Sequence, residues 1–297
     1  MRLLRLGPAV PSGVAACHGE DGGAAAGGSG ADAGPGRAGR GKLTVMCGRF
    51  AASSRPEDIV ELFGVEQWDP AETLDPSWNV APTQSAFVVL ERQAKGAARP
   101  VRQLRVLRWG LVPQWAGSPE TAVKMINARA DTVHEKPAYR QAFAARRCVL
   151  PVDGYYEWQT VPGERGKARK KPFFVSRADG APLALAGLYE FWRNRAVPSD
   201  HPEGWLVTFT VVTTEAEELL APIHERMPLF LDPGSFDAWL DPGLDDSGSE
   251  ELRRLLIPPP PGALRVTPVS PDVGSVRNDH PGLTEPHTEV EYETTLF

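Results

Sequence analysis

Cysteine is scarce in this chain, with three among 297 residues. An odd trio (Cys17, Cys47 and Cys148) cannot supply a disulfide framework, which points to a reducing, cytoplasmic setting. No apolar run approaches the length that spans a bilayer, so no membrane partner is expected. CxxC, HExxH and paired-His spacings are all missing, so no metal is expected. A Walker-type phosphate loop is missing too, and no cofactor is assigned. No internal repeat is visible. The formal net charge of -6 argues against indiscriminate nucleic-acid binding, yet it is compatible with a local basic groove, because binding follows patches rather than totals. Much of the acid falls in surface-like segments: Asp241, Asp245, Asp246, Glu250 and Glu251 in one, Glu285, Glu289, Glu291 and Glu293 in another.

What is present divides at residue 46. Roughly half of residues 1–45 is Gly or Ala, with almost no aromatics, a composition that cannot bury a core. Arg2 and Arg5 hint at a signal sequence, but Gly7, Pro8 and Pro11 interrupt any apolar region, and the glycine content opposes an amphipathic presequence helix. Residues 1–46 are therefore expected to be a disordered leader or a mis-assigned start, with Met46 removed. Met46-Cys47-Gly48-Arg49-Phe50 reads as a protein start inside a longer frame. Once Met46 is gone, Cys47 carries a free α-amine and a thiol on adjacent carbons. Such a 1,2-aminothiol traps aldehydes: the amine condenses to an imine and the thiol closes on the imine carbon to give a thiazolidine. An α-amine titrates near ~8 and a thiol near ~8.5, so both reactive forms are expected at neutral pH. An internal Cys lacks the amine and ordinarily packs as a small hydrophobe. Cys148, in Arg147-Cys148-Val149-Leu150, reads that way.

The residues after 46 suffice for one large domain or two small ones, and no linker-like break interrupts the middle, so one domain is expected over 47–270 with a C-terminal tail over 271–297, mobile from Asn278. A helix is predicted over Pro56 to Phe63, capped by Ser54 or Ser53, with Ile59, Val60, Leu62 and Phe63 as its apolar face and Gly64 ending it. Strands are predicted at Phe87 to Leu90, Leu104 to Trp109, Val149 to Trp158, Pro172 to Ser176, Leu183 to Phe191, Leu206 to Thr213 and Leu264 to Val269. Further helices are predicted at Ala138 to Ala145, Ala216 to Leu220, Ser235 to Leu240 and Ser249 to Leu256, with a basic hairpin tip at Glu164 to Lys171. Strands interleaved with short helices, without βαβ alternation, define an α+β class: a largely antiparallel, twisted, barrel-like sheet with short flanking helices.

Several residues have side chains suited to chemistry. Glu157 stands alone among the aromatics of Tyr155-Tyr156-Glu157-Trp158, a setting that would raise its pKa and suit it to proton transfer, although an exposed strand Glu fits the pattern equally well. His224 lies in a turn between predicted elements, where a scaffold often places function and where a plain surface His is also ordinary. Asn127 and Arg129, two apart, would face one side of an extended segment, Arg129 holding a phosphate and Asn127 orienting a reacting group, unless both merely satisfy loop backbone. Trp109, Trp115 and Trp158, with Pro82 and Met125, offer flat surfaces for bases, while aromatics at this density more often build a core.

Taken together, the order of motifs resembles one family. Met46-Cys47-Gly48-Arg49-Phe50, Trp78-Asn79-Val80-Ala81-Pro82-Thr83, Arg108-Trp109-Gly110-Leu111-Val112-Pro113, Ile126-Asn127-Ala128-Arg129-Ala130-Asp131-Thr132, Arg147-Cys148-Val149-Leu150-Pro151, Gly154-Tyr155-Tyr156-Glu157-Trp158 and His224-Glu225-Arg226-Met227-Pro228 are similar to those of the SRAP family, the SOS-response-associated peptidases or abasic-site processing proteins. The resemblance implies a single domain with a groove for single-stranded DNA and covalent capture of abasic sites in the DNA damage response. It makes Cys47 the source of amine and thiol, Asn127 the group orienting the amine or opened sugar, Glu157 a proton shuttle, and His224 an aid to ring opening and to reversal. Arg49 and Arg129 would grip phosphates, with Asn79 and Pro82 shaping the pocket. It further implies self-removal of Met46, a monomer with abasic single-stranded DNA as partner, and a cytoplasmic location, nucleoid-associated during damage. Two other classes keep the same residues in play: a DNA-binding module that forms no bond, and an N-terminal-nucleophile amidohydrolase using Cys47 on a side-chain amide.

Overall fold

The computed structural model describes residues 47–93, 98–163, 167–244 and 250–288, so the leader expected over 1–46 lies outside the described residues. In chain order the elements are β1 (Phe50–Ala52), α1 (Pro56–Phe63), β2 (Gln67–Trp68), β3 (Ser77–Val80), β4 (Ser85–Arg92), β5 (Val101–Trp109) and β6 (Asn127–Arg129). Then follow α2 (Arg140–Ala145), β7 (Arg147–Val152), β8 (Gly154–Pro162), β9 (Ala168–Arg177), β10 (Leu183–Arg193) and β11 (Trp205–Glu215). The last are β12 (Arg226–Pro228), α3 (Phe236–Leu240), α4 (Glu250–Arg254) and β13 (Leu264–Pro268).

The strands form two sheets. In the larger, β5, β4, β7, β10 and β11 pair antiparallel in that order, and β11 returns to pair with β5 in parallel through Thr208↔Arg108 and Phe209↔Trp109. That last ladder closes a ring, which leaves those strands no free edge. β6 also runs parallel to β11, pairing Val211 with Asn127. The smaller sheet, β13-β9-β8-β1-β3, is antiparallel throughout. The α+β class with a largely antiparallel, barrel-like sheet is thus what the chain adopts.

Period-two alternation along β4 sorts its side chains. Ala86, Val88 and Leu90 face a core shared with Cys47, Phe50 and Tyr155, while Phe87 and Val89 face a second core with Ile59 and Phe63 of α1, Phe143 of α2, Trp239 of α3 and Leu252 of α4. With both faces covered, these strands read as unbroken apolar runs rather than as alternation. This is why Val149 to Trp158 reads as one strand when it is two: β7 belongs to the closed sheet and β8 to the other. The chain changes sheets at Asp153, whose carboxylate accepts from the Ser53 amide (2.7 Å) and the Ser54 hydroxyl (3.3 Å). Gly154 follows because a Cβ there would sit 2.4 Å from the Val175 carbonyl oxygen.

That use of Ser53 and Ser54 removes them as helix caps. Arg55 is the cap residue of α1, without a side-chain cap bond, and Gly64 ends the helix at φ 61° as expected. Leu62 points out at 51% exposure, so the buried face is Ile59 and Phe63. The helix expected over Ala216 to Leu220 is instead a series of turns leading into β12. α2 begins at Arg140, two residues later than expected, and α3 follows a 3₁₀ turn at Pro233–Ser235. Arg147 is buried at their junction, donating to the carbonyls of Phe143 and Ala144 in α2 and of Trp239 and Asp241 at the end of α3, so one cation serves two helix C-termini. Residues 164–166 of the basic hairpin tip, and Ser249, lie outside the described residues; Arg169, Lys170 and Lys171 belong to β9.

The segment expected as a tail packs against the domain as far as it is described. Val273 and Leu283 are fully buried beside Tyr156, and Asp279 accepts from the Ser77 hydroxyl and the Trp78 amide. Among the described residues no helix is long and apolar enough to cross a membrane.

Candidate active site

Cys47 sits just before β1, and β1 pairs with β8 through Phe50↔Tyr155 and Ala51↔Gly154, which brings the start of β1 alongside Glu157. The Cys47 backbone nitrogen donates to Glu157 Oε1 at 2.7 Å. In the chain with Met46 attached that nitrogen is a peptide amide; it stands where the α-amine of a Cys47 N-terminus would be. Cys47 has φ 33°, in the left-handed region that L-residues avoid, at a cost of about 1–3 kcal/mol.

Burial governs the electrostatics. Glu157 is 4% exposed, so the surface alternative is excluded, and desolvation pushes its carboxyl up to about 7 against the opposing pull of amide donors at Cys47 and Trp158 and the charge of Lys170. The Cys47 thiol is fully buried and pushed up, first by desolvation and then by the charge of Glu157. A ready thiolate at neutral pH, expected from the free amino acid, is therefore absent in the folded chain; the low-dielectric pocket holds the sulfur protonated until a base takes its proton.

His224 is carried by the connection between β11 and β12. Gln159, two residues beyond Glu157 on the same face of β8, donates to the Pro222 carbonyl at 3.0 Å and so ties that connection to the site strand. Leu220 and Ile223 pack in the same core as Cys47. His224 Nδ1 lies 3.1 Å from the Arg226 amide nitrogen and 3.2 Å from the Arg226 carbonyl oxygen, and the pKa of the ring is lowered mainly by burial. Asn127 opens β6, its carbonyl accepting from the Tyr139 hydroxyl at 3.1 Å; Ala128 is buried on the opposite face, so Asn127 and Arg129 do share one side. Arg129 is exposed and pairs with Asp131 at 2.5 Å, while the buried Arg226 lies 3.9 Å from the same carboxylate and donates to the Thr213 carbonyl at 2.5 Å.

The other candidates divide between the core and the surface. Trp109 is fully buried, with ring centroids 4.8 Å from Phe50 and 6.4 Å from Phe209, and its indole N–H donates to the Ile126 carbonyl at 3.0 Å. It cannot stack on a base; it fixes the backbone one residue before Asn127. Trp115, at 70% exposure, keeps a free flat surface. Asn79 is buried, its amide donating to the carbonyls of Val273, Ser275 and Asn278, and its Oδ1 accepts from Arg49 at 2.8 Å. Arg49 donates also to the Val273 and Gly274 carbonyls, all neutral acceptors, so its charge is not neutralised by these contacts. Pro82 is half-buried, in a turn where Thr83 takes φ 73° and donates to the Trp109 carbonyl. Tyr155, Glu217, Asp131 and Arg226 were not singled out from sequence. Tyr155 was within reach, since strand alternation puts it on the face of Glu157.

A closed barrel with a second sheet, and a buried cysteine whose backbone nitrogen rests on a buried carboxylate, describes a class defined by that cysteine–carboxylate site. The family model for SOS response associated peptidase (SRAP) matches residues 46–276, and the chain belongs to that family. Among its relatives, abasic site processing protein YoqW of Bacillus subtilis is 36% identical over 82% of this chain and 100% of its own length. Abasic site processing protein YedK of Escherichia coli is 30% identical over 81% of this chain and all of its own. A crystal structure of a Bacteroides thetaiotaomicron protein superposes with a TM-score of 0.66 at 25% identity, covering 82% of this chain and 100% of that one.

Proposed function

We propose that this chain processes abasic sites in DNA by capturing the opened sugar in a thiazolidine at an N-terminal Cys47. Family membership and the names of the relatives support abasic-site processing; the contact of 2.7 Å between the Cys47 nitrogen and Glu157 carries the covalent reading. A carboxyl that titrates near 7 beside the nucleophilic nitrogen is suited both to take a proton from an ammonium and to return one to the sugar. Proton exchange by Glu157 and His224 opens the hemiacetal ring to the aldehyde. The Cys47 amine adds to C1′, water leaves to give an imine, and Sγ, losing its proton, closes on C1′. Because thiol and imine belong to one residue, the closing step is intramolecular and is favoured by several kcal/mol (about 7 or more in well-oriented cases). Asn127 orients the reacting groups, and Arg129 and Arg49 meet phosphates of single-stranded DNA. The chain acts as a monomer and needs the residues before Cys47 removed. In self-removal, Glu157 in its acid form would protonate the nitrogen that departs from Met46.

The test uses single-stranded DNA carrying one abasic site and a chain whose first residue is Cys47, compared with the 297-residue chain and with Cys47→Ala. A heat-stable shifted band from the Cys47-started chain, lost in Cys47→Ala, supports the reading. Salt-sensitive binding without a covalent band overturns it in favour of a non-covalent DNA-binding module.

A further inference from the structure

Glu157 accounts for the nitrogen of the capture reaction and for the ring oxygen released when the sugar opens, but not for the oxygen that stays on C1′. When the amine adds to C1′, the carbonyl oxygen becomes a hydroxyl, and that hydroxyl must leave with a proton before the imine can form. An apolar pocket without a donor at that oxygen would stall there.

Tyr155 is 1% exposed, and its hydroxyl has no hydrogen-bond partner among the described residues. Buried hydroxyls normally find one, and leaving one unmet is costly. Tyr155 and Glu157 occupy the same face of β8, about 6.6 Å apart along the strand, and Tyr155 packs in the same core as Cys47. From the connection that also carries His224, Glu217 brings a second orphan: its Oε1 is buried and likewise without a partner among the described residues. A donor and an acceptor, both unmet among the described residues, stand close enough for the charge of Glu217 to act on Tyr155. A group that accepts from a phenol and donates to a carboxylate is a hydroxyl or a water.

We propose that Tyr155 is a further catalytic residue of this site: its hydroxyl, with the Glu217 carboxylate as acceptor, receives and protonates the oxygen that leaves C1′ as water. The inference rests on the capture reading above. The balance closes within the site. The C1′–O bond breaks with its electron pair going to oxygen, which takes the phenol proton and departs as water; the nitrogen lone pair forms the C=N bond. Sγ then bonds to C1′, the C=N electrons return to nitrogen, and the thiol proton restores the phenol. Aldehyde and aminothiol give thiazolidine and one water. Burial, before any neighbouring charge, holds the Tyr155 hydroxyl protonated and so keeps it a donor.

The experiment compares Cys47-started wild type, Tyr155→Phe and Glu217→Gln on single-stranded DNA with one abasic site, at saturating protein, with and without cyanoborohydride to trap the imine. Tyr155→Phe deletes an unmet hydroxyl, so its melting temperature should equal or exceed that of wild type. Its crosslinking rate should fall at least tenfold, and the trapped imine should fall with it, because loss of water precedes the imine. Glu217→Gln should slow the same step. A purely structural tyrosine would give the reverse pattern, a lower melting temperature with the rate at saturation unchanged. Wild-type speed in Tyr155→Phe overturns the inference and leaves capture by Cys47 intact, whereas no covalent product from wild type overturns the capture reading itself.

Discussion

Cys47 and Glu157 are 110 positions apart in the chain, yet the nitrogen of one lies 2.7 Å from a carboxylate oxygen of the other. The antiparallel pairing of β1 with β8 creates this contact, and the closed sheet behind it excludes water from both partners. Neither residue has its ordinary properties as a result. The carboxyl titrates near 7 and the thiol is held protonated.

Glu157 makes stability fall as pH rises. Its ordinary value of 4.5 describes the unfolded chain and about 7 the folded one. Between these values the folded state binds more protons, so folding loses free energy from pH 4.5 up to 7 and stays lower above, by about 3 kcal/mol at full ionisation. Glu157→Gln keeps an acceptor for the Cys47 nitrogen and removes the ionisation. Its melting temperature should overtake that of wild type as pH is raised from 5 to 8. Crosslinking to abasic DNA should slow by about 10²-fold or more through loss of proton transfer. Parallel melting curves across that range would refute the burial argument.

Trp109 tests whether an aromatic of the candidate site is core or platform. Shortening it to Phe opens a cavity and strands the Ile126 carbonyl, at about 2–4 kcal/mol in denaturant unfolding. Affinity for undamaged single-stranded DNA should stay within twofold, since a fully buried ring touches no base. A large loss of affinity at unchanged stability would return Trp109 to the binding surface.

Asn79 and Arg49 hold the residues after 270 onto the domain. Asn79→Ala leaves the carbonyls of Val273, Ser275 and Asn278 without its amide, and should cost about 2–3 kcal/mol. Limited proteolysis should then cut between Val269 and Leu283, a stretch that should stay intact in the wild-type chain under the same conditions. Resistance in the variant would mean that Leu283 and Val273 alone secure the segment.

These contacts also show why the sequence was legible only in part. Strand and helix positions followed from apolar runs and glycines, and Glu157 was conspicuous as a lone carboxylate among aromatics. The break at Asp153 was not readable, because strands covered on both faces lose the alternation that marks a boundary. Aromatic content drew attention to Trp109 and Trp115 alike, though one is fully buried and the other 70% exposed; composition carries no burial. The acidic and apolar residues Glu217, Glu218, Leu219 and Leu220 suit a helix, but the Gln159–Pro222 contact and the packing of Leu220 accompany a turn instead. Tertiary contacts decide such short segments, and they are invisible in a single chain.

The rim charges give the last prediction. Asp131 pairs with Arg129 at 2.5 Å and lies 3.9 Å from Arg226, so one carboxylate offsets two guanidiniums at the edge of the site. The Arg129–Asp131 pair is about half exposed and contributes little to stability, so its loss should shift melting by no more than a degree or two. Its effect on a polyanion is larger. Asp131→Asn removes the carboxylate that competes with phosphate for Arg129, and should tighten single-stranded DNA binding; the phosphate contact itself accounts for about 0.7 in the dependence of log K on log salt for a single strand. Arg129→Gln should flatten that dependence by a similar amount and weaken binding evenly across sequences. Titration by fluorescence anisotropy from 50 to 200 mM salt separates the two variants. If Arg129→Gln leaves the slope unchanged and Asp131→Asn the affinity, Arg129 is a surface ion pair, and the phosphate contacts must come from elsewhere, with Arg49 the first to be replaced because its bonds go only to neutral oxygens.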